Sequence, residues 1–124
     1  MKKTIIAGAI FAGLAVLFGA FGAHALKDVL GRYASTWETG VQYQMFHAVG
    51  ILIIGLLMEK QTSRLYNWAA ILFSVGIVFF SVSLYVLSIS KVTVLGAITP
   101  IGGVCFVVGW FLLILGVSKR TMSK

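Results

Sequence analysis

The chain has 124 residues, of which 60% are hydrophobic and only 10% are charged, and its mean hydropathy is +1.03. A water-soluble domain of this size cannot hide so much apolar surface, so the composition excludes that class and predicts one integral membrane domain over residues 1–124. The formal net charge of +7 does not predict nucleic-acid binding, because the basic residues stand at the ends of apolar runs and form no continuous basic face.

The first predicted span covers residues 4–23 and follows Lys2 and Lys3. Its start and the Ala-His-Ala sequence at 23–25 are also typical of a secretory signal peptide. An apolar run of about 20 residues is too long for such a peptide but matches a hydrocarbon core of roughly 30 Å, so we expect a retained transmembrane helix.

Small residues recur along this first span at intervals of four and three. They are Gly8, Ala12, Ala15, Gly19 and Gly22. Such a seam lets two helix backbones approach closely, either inside the protomer or between the copies of a homo-oligomer.

The sequence then predicts a short amphipathic helix over about residues 25–36, lying in the membrane interface between the first two spans. Apolar residues recur at helical spacing at Leu26, Val29 and Leu30, whereas Lys27 and Arg32 occupy the other side. We expect this helix to break near residue 31, which is a glycine.

Three further spans are predicted at about 38–58, 66–90 and 94–117, which makes the fold class an all-α, four-helix membrane bundle. In the fourth span, glycines repeat every seven residues at positions 102, 109 and 116 and form a second small-residue seam. Pro100 interrupts this span. We expect it to kink the helix, the alternative being a short re-entrant piece before a helix that is capped by Thr99.

The basic residues of the loops predict the orientation. With four spans, one side of the membrane holds seven of them and the other side holds three. The first set is Lys2, Lys3, Lys60, Arg64, Lys119, Arg120 and Lys124, and the second is Lys27, Arg32 and Lys91. By the positive-inside rule, both termini are expected in the cytoplasm.

Polar residues inside the second span, Gln42, Gln44 and His47, would be costly without partners. With a rise of roughly 1.5 Å per residue, the polar groups of spans 2, 3 and 4 are expected to share one layer about 10 Å below the outer surface. The candidate binding residues of this layer are Gln44, His47, Ser81, Ser83, Gly96 and Thr99.

Two interpretations of this layer stay open at this stage. One is a structural cluster of hydrogen bonds that fixes the helix register. The other is an outward-facing site for a small molecule, a lipid headgroup or a proton, with His47 as the titratable centre. Gln44 and His47 are three residues apart and share a helix face, which both interpretations require.

The sequence predicts no metal site, no cofactor and no catalytic residues. His24 stands near the surface and His47 deeper, which fits a haem poorly, and a zinc ion would need further ligands such as Glu38. No nucleophile stands beside a base, and no carboxylate stands inside a span. Cys105 is the only cysteine and is expected to be an apolar filler.

Several motifs resemble a known family: GAFGAH at 19–24, TGVQYQMFHA at 39–48, LFS at 72–74 with SLY at 83–85, and LGAITPIGG at 95–103. Together they are similar to the small bacterial membrane proteins catalogued as domain of unknown function 423, and to the animal transmembrane protein 256. The resemblance implies a four-helix inner-membrane protein without an agreed activity. The signature residues of the family fall on His24, Gln44, His47, Thr99 and Pro100.

We therefore expect a small non-enzymatic membrane protein with a structural, partner-binding or lipid-binding role. Its partners would be membrane lipids, another membrane protein or a second copy, and not nucleic acid. The alternative is a minimal transporter or channel subunit with an outward-facing polar pocket around His47. A third possibility is a membrane enzyme that acts on a lipid or quinone with His24, Glu38 and His47.

Overall fold

Six α-helices build the chain in a computed structural model that describes residues 1–119. The helices are α1 (Lys2–Ala23), α2 (Lys27–Leu30), α3 (Ala34–Lys60), α4 (Arg64–Gly76), α5 (Ser83–Ser90) and α6 (Thr99–Ser118). A π-helical segment, Ile77–Val82, joins α4 to α5 into one long third span. The described part of the chain is thus all-helical. Two residues of the charge argument, Arg120 and Lys124, lie outside it.

Four stretches are long and apolar enough to cross a membrane: Lys2–Ala23, Lys27–Lys60, Arg64–Ser90 and Thr93–Ser118. Helix α1 packs on α3, and the third span packs on both α3 and α6. The four-helix membrane architecture that the hydropathy predicts is therefore confirmed. Because the spans alternate in direction, α2 and the α5–α6 connection lie at the same end of the bundle, which we call the α2 end.

The small residues of α1 are used inside the protomer. A Cβ added to Gly8 would lie 3.1 Å from the Ala48 carbonyl of α3, and one added to Gly22 would overlap the indole of Trp37. Close backbone approach replaces the hydrophobic drive that lipid does not supply, and a glycine at the contact permits it. This seam is therefore covered by α3.

The glycine seam of α6 is likewise covered, in this case by the third span. Gly102 packs on the backbone of Phe80, Gly109 on the ring of Phe73, and Gly116 on the ring of Tyr66. The surfaces left open on α1 and α6 are consequently the ones with larger aliphatic side chains.

The interfacial amphipathic helix predicted over residues 25–36 is not confirmed. The structure has only the single turn α2 there, followed by a 3₁₀ turn at Gly31–Tyr33, and α3 already begins at Ala34. Gly31 adopts a φ of 54°, a left-handed conformation that ends α2. Leu30 is fully buried while Val29 is exposed, so the segment caps the bundle with one inserted side chain.

Pro100 does not kink a continuous helix, which was the favoured expectation. A 3₁₀ turn at Thr93–Ala97 comes first, and α6 begins at Thr99 with the proline in its opening turn. The first backbone N–H groups of a helix have no partner within it, so a proline there breaks no hydrogen bond. The Thr99 side chain bonds to Ser83 and does not cap the helix.

Two apolar clusters fill the interior. The smaller one, at the α2 end, consists of Leu30, Trp37 and Tyr85. The larger one fills the opposite half of the bundle with Ile51, Ile54, Tyr66, Ala69, Ala70, Phe73, Ile77 and Phe106. The buried polar residues of α3 lie between these two clusters in the sequence and in the fold.

Adding one methyl group at Gly102 should destabilise the bundle. Gly102→Ala is expected to lower the free energy of unfolding by about 1–3 kcal/mol, because the new Cβ would lie only 2.7 Å from the Phe80 Cβ and would also meet its backbone. Denaturant unfolding in detergent, followed by circular dichroism, measures this loss. The matched control is Gly103→Ala, since nothing lies within 4 Å of a Cβ there. Equal losses in both variants would contradict the packing described for α6.

Candidate functional site

The side-chain amide of Gln44 connects three spans. Its Nε2 donates to the Phe11 carbonyl of α1 at 2.8 Å, and its Oε1 accepts from the Tyr85 hydroxyl of α5 at 2.7 Å. Gln44 is only 2% exposed, so these bonds satisfy both ends of the amide away from water. This residue acts as a cross-link between α1, α3 and the third span.

The imidazole of His47 has partners at both of its nitrogens. Nδ1 lies 2.8 Å from the Tyr43 carbonyl one turn earlier, and Nε2 lies 3.0 Å from the indole nitrogen of Trp110 in α6. An indole N–H can only donate, so Nε2 accepts and Nδ1 carries the proton. The bonds therefore define a neutral tautomer whose two nitrogens are already used. The ring of Phe106 stacks on the imidazole with centroids 3.6 Å apart.

The hydroxyl groups of the candidate layer are also paired. Ser81 donates to the Gly40 carbonyl of α3 at 2.7 Å. Ser83 lies 2.8 Å from Thr99, which ties α5 to the first turn of α6, and also bonds to the Phe80 carbonyl. Each of these bonds stays within a pair or a triplet, so the polar groups form separate small clusters and not one network.

These clusters lie at different depths. His47 is thirteen residues from Ala34 and thirteen from Lys60, so it marks the middle of α3, roughly 20 Å from either end at 1.5 Å per residue. Because α3 begins four residues earlier than predicted, His47 lies about 6 Å further from the start of its helix than the predicted span bounds implied. Thr99, in the first turn of α6, pairs with Ser83, which lies seven residues before the end of α5, roughly 10 Å from the α2 end.

The structure does not bring His24, Glu38 or Gly96 to His47. His24 is exposed where α1 ends, and Glu38 is exposed on α3, where it accepts from Gln42 at 3.5 Å. Gly96 is half-buried in the 3₁₀ turn before α6. Among residues 1–119, no three His, Cys, Asp or Glu side chains stand close enough together to hold a metal ion.

A groove of about 760 Å³ runs between α3 and α6 beside His47. One wall is aromatic and the other is formed by small and β-branched residues of α6. The lining comprises Tyr43, Phe46, His47, Phe80, Pro100, Gly103, Val104, Phe106, Val107, Val108 and Trp110. Phe46, Val104 and Val107 are 59–69% exposed at its rim, so the groove opens sideways toward the region of the lipid. We call it the α3–α6 groove.

Two residues that complete these contacts, Tyr85 and Trp110, were missed as site residues. Tyr85 is 6% exposed and bonds to Gln44. The signal for Trp110 is its place in the middle of an apolar span, because a buried indole N–H usually needs an acceptor.

Comparison with known proteins identifies relatives along nearly the whole chain. The family described as "Protein of unknown function (DUF423)" matches residues 18–103. A UPF0382 membrane protein of Staphylococcus epidermidis is 52% identical over 120 residues, which cover 96% of this chain and 98% of the relative. The UPF0382 membrane protein YwdK of Bacillus subtilis is 46% identical over 121 residues, with the same coverage of both. No solved structure gives a significant match.

The hydrogen bond between Gln44 and Tyr85 should show as an energetic coupling. We expect Gln44→Leu and Tyr85→Phe each to destabilise the bundle, with a coupling energy of about 0.6–1.7 kcal/mol in a double-mutant cycle, between the average and the maximum measured for hydrogen bonds between membrane helices. Denaturant unfolding of the four proteins in detergent measures it. Gln42→Leu is the matched control, because Gln42 is exposed on the same helix and should cost little. Additive effects at 44 and 85 would refute the cross-link.

Proposed function

This chain belongs to the family of proteins of unknown function DUF423, and we propose that it is a non-enzymatic lipid-binding protein of the bacterial membrane. In this proposal the hydrogen-bonded side chains hold four spans in register, and the α3–α6 groove takes up one acyl chain of a membrane lipid from the side. The observation that carries the proposal is the lateral opening of an apolar, aromatic-walled groove beside a polar cluster whose bonds are already made.

The hydrogen bonds of His47 support a structural part for this residue. Its Nε2 is occupied by Trp110 and its Nδ1 by the Tyr43 carbonyl. A proton or a ligand at Nε2 would have to displace the indole, which would leave a donor unpaired in the membrane interior. The bonds therefore favour a role of His47 in positioning α6 against α3 over a role in binding a proton or a metal.

The chemistry of the α3–α6 groove supports a lipid chain as its occupant. Its volume lies within the range of about 300–1,000 Å³ that is usual for small-molecule pockets. The side chains of its aromatic wall offer flat apolar surface to a methylene chain. The phenol of Tyr43, which is 43% exposed, adds a hydrogen-bond donor suited to an ester carbonyl.

The larger apolar cluster, which fills the half of the bundle opposite the α2 end, favours a binding function over transport of a solute. A solute that passes His47 would next meet Ile51, Ile54 and Phe73, which are at most 1% exposed and belong to the larger apolar cluster. Opening a path there would break the packing of this buried cluster. A fixed bundle that binds lipid on its side requires no such change.

We further propose that both termini face the cytoplasm and that the α2 end faces outward. The basic residues Lys60 and Arg64 flank the α3–α4 connection, which lies at the same end as the N-terminal Lys2 and Lys3. The excess of basic residues at that end supports a cytoplasmic position for it.

Filling the α3–α6 groove should abolish lipid retention without unfolding the protein. Gly103→Leu places a branched side chain in open space within the groove, since no atom lies within 4 Å of a Cβ there. We expect the purified variant to lose a bound phospholipid that the unaltered chain retains, as measured by native mass spectrometry in mild detergent. Gly13→Leu is the matched control, because it also meets open space but lies on α1. Equal retention in the two variants would refute the groove as the binding site.

The orientation is testable with two threonine-to-cysteine changes after Cys105→Ala removes the native thiol. Thr62→Cys lies in the α3–α4 connection and Thr93→Cys in the α5–α6 connection, and both positions are exposed. A membrane-impermeant maleimide added to intact cells should label only Thr93→Cys, while Thr62→Cys should react after permeabilisation. The reverse pattern would place the termini outside.

A further inference from the structure

A second groove, of about 380 Å³, lies between the end of α1 and the beginning of α3. Its lining comprises Gly19, Gly22, Ala23, Lys27, Ala34, Trp37, Glu38, Val41 and Gln42. It is separate from the α3–α6 groove, with which it shares no lining residue. Both helices have their ends here, so the mouth of this α1–α3 groove lies at the depth where lipid headgroups meet the hydrocarbon core.

The floor of the α1–α3 groove is fixed in place. The indole of Trp37 donates to the Phe18 carbonyl at 2.8 Å, which ties the start of α3 to α1. The ring of Tyr85 packs on this indole with centroids 4.7 Å apart, and Gly22 leaves room for it on the side of α1. A cleft floored by glycines and a held indole is preformed, so a chain can enter without rearranging the helices.

The rim of this groove carries one charge of each sign. Lys27 and Glu38 both line it and both are exposed. The carboxylate accepts one hydrogen bond, from the Gln42 amide, at a long 3.5 Å, so it retains most of its capacity to accept others. The apolar part of the groove, with Gly19 and Val41, continues from this rim along the two helices.

We propose that the α1–α3 groove binds a phospholipid whose headgroup carries a phosphate and a primary ammonium, namely an ethanolamine phospholipid. The Lys27 ammonium pairs with the phosphate, and the Glu38 carboxylate accepts hydrogen bonds from the ethanolamine nitrogen. One acyl chain then lies over Gly19 and Val41. This site does not depend on the function proposed for the α3–α6 groove.

The pair of charges selects against other headgroups. A purely anionic headgroup would satisfy Lys27 but would be repelled by Glu38. A choline headgroup carries the same net charge as ethanolamine, but its quaternary nitrogen has no N–H to donate to the carboxylate. The expected preference therefore comes from two charge-assisted contacts that only a primary ammonium headgroup can complete together.

The test compares three phospholipids with identical acyl chains on the full chain in mild detergent. Native mass spectrometry is used to titrate phosphatidylethanolamine, phosphatidylcholine and phosphatidylglycerol against the protein. We expect ethanolamine lipid to bind about tenfold more tightly than either other lipid, the effect of one charge-assisted hydrogen bond. Glu38→Gln should reduce its affinity to that of choline lipid, and Lys27→Gln should weaken all three lipids.

Matched controls stand at the opposite end of α3, where Glu59 and Lys60 are also exposed. Glu59→Gln and Lys60→Gln should leave the ethanolamine preference unchanged. Circular dichroism establishes that each variant is folded as the unaltered chain is. Equal affinities for the three lipids would overturn the proposal, as would an ethanolamine preference that survives Glu38→Gln. The Gly103→Leu variant, which fills only the α3–α6 groove, should retain the ethanolamine preference. The proposals for the two grooves can therefore be refuted independently.

Discussion

The side chains of Gln44 and His47 connect all four spans from one face of α3. Gln44 bonds to α1 through the Phe11 carbonyl and to the third span through Tyr85, and His47 bonds to α6 through Trp110. An unpaired polar group in hydrocarbon costs several kcal/mol, so each of these groups favours only arrangements that supply its partner. The two residues therefore select one register of the bundle among many that apolar packing alone would allow.

Small residues and polar residues contribute differently to helix packing: the former permit close approach, and the latter fix the register. The glycines of α1 and α6 let the backbones approach, and in lipid that contact is a main source of attraction. Contact along a smooth seam tolerates sliding by a turn, whereas a bond from Ser83 to Thr99 or from Ser81 to the Gly40 carbonyl does not. Because the small-residue seams of α1 and α6 are both covered by other helices of the same protomer, contacts between several copies would have to use the aliphatic outer faces of these helices.

The sequence was sufficient for the number of spans and for the burial of Gln44 and His47, because a polar residue within an apolar run has few stable places to go. The sequence did not predict the hydrogen-bond partners of these two side chains. Pairing with Tyr85 and Trp110 depends on which helices are neighbours and on their relative depth, and periodicity within one helix contains neither. The early start of α3 also places His47 about one turn further from the start of its helix than the predicted span bounds implied.

The central polar side chains of the bundle, Gln44 and His47, already have hydrogen-bond partners within the protein, so they offer few unpaired donors or acceptors to a ligand. The unmet binding capacity of the bundle lies outside, in one apolar groove on each side of α3. The α3–α6 groove offers aromatic surface near the middle of α3, and the α1–α3 groove offers two opposite charges where α1 ends and α3 begins. The first has exposed apolar side chains at its rim, and the second has the exposed Lys27 and Glu38. In the functions proposed for these two grooves, the ligands are lipids that arrive by lateral diffusion in the membrane, so the lipid composition around the protein, more than any aqueous solute, determines what it binds.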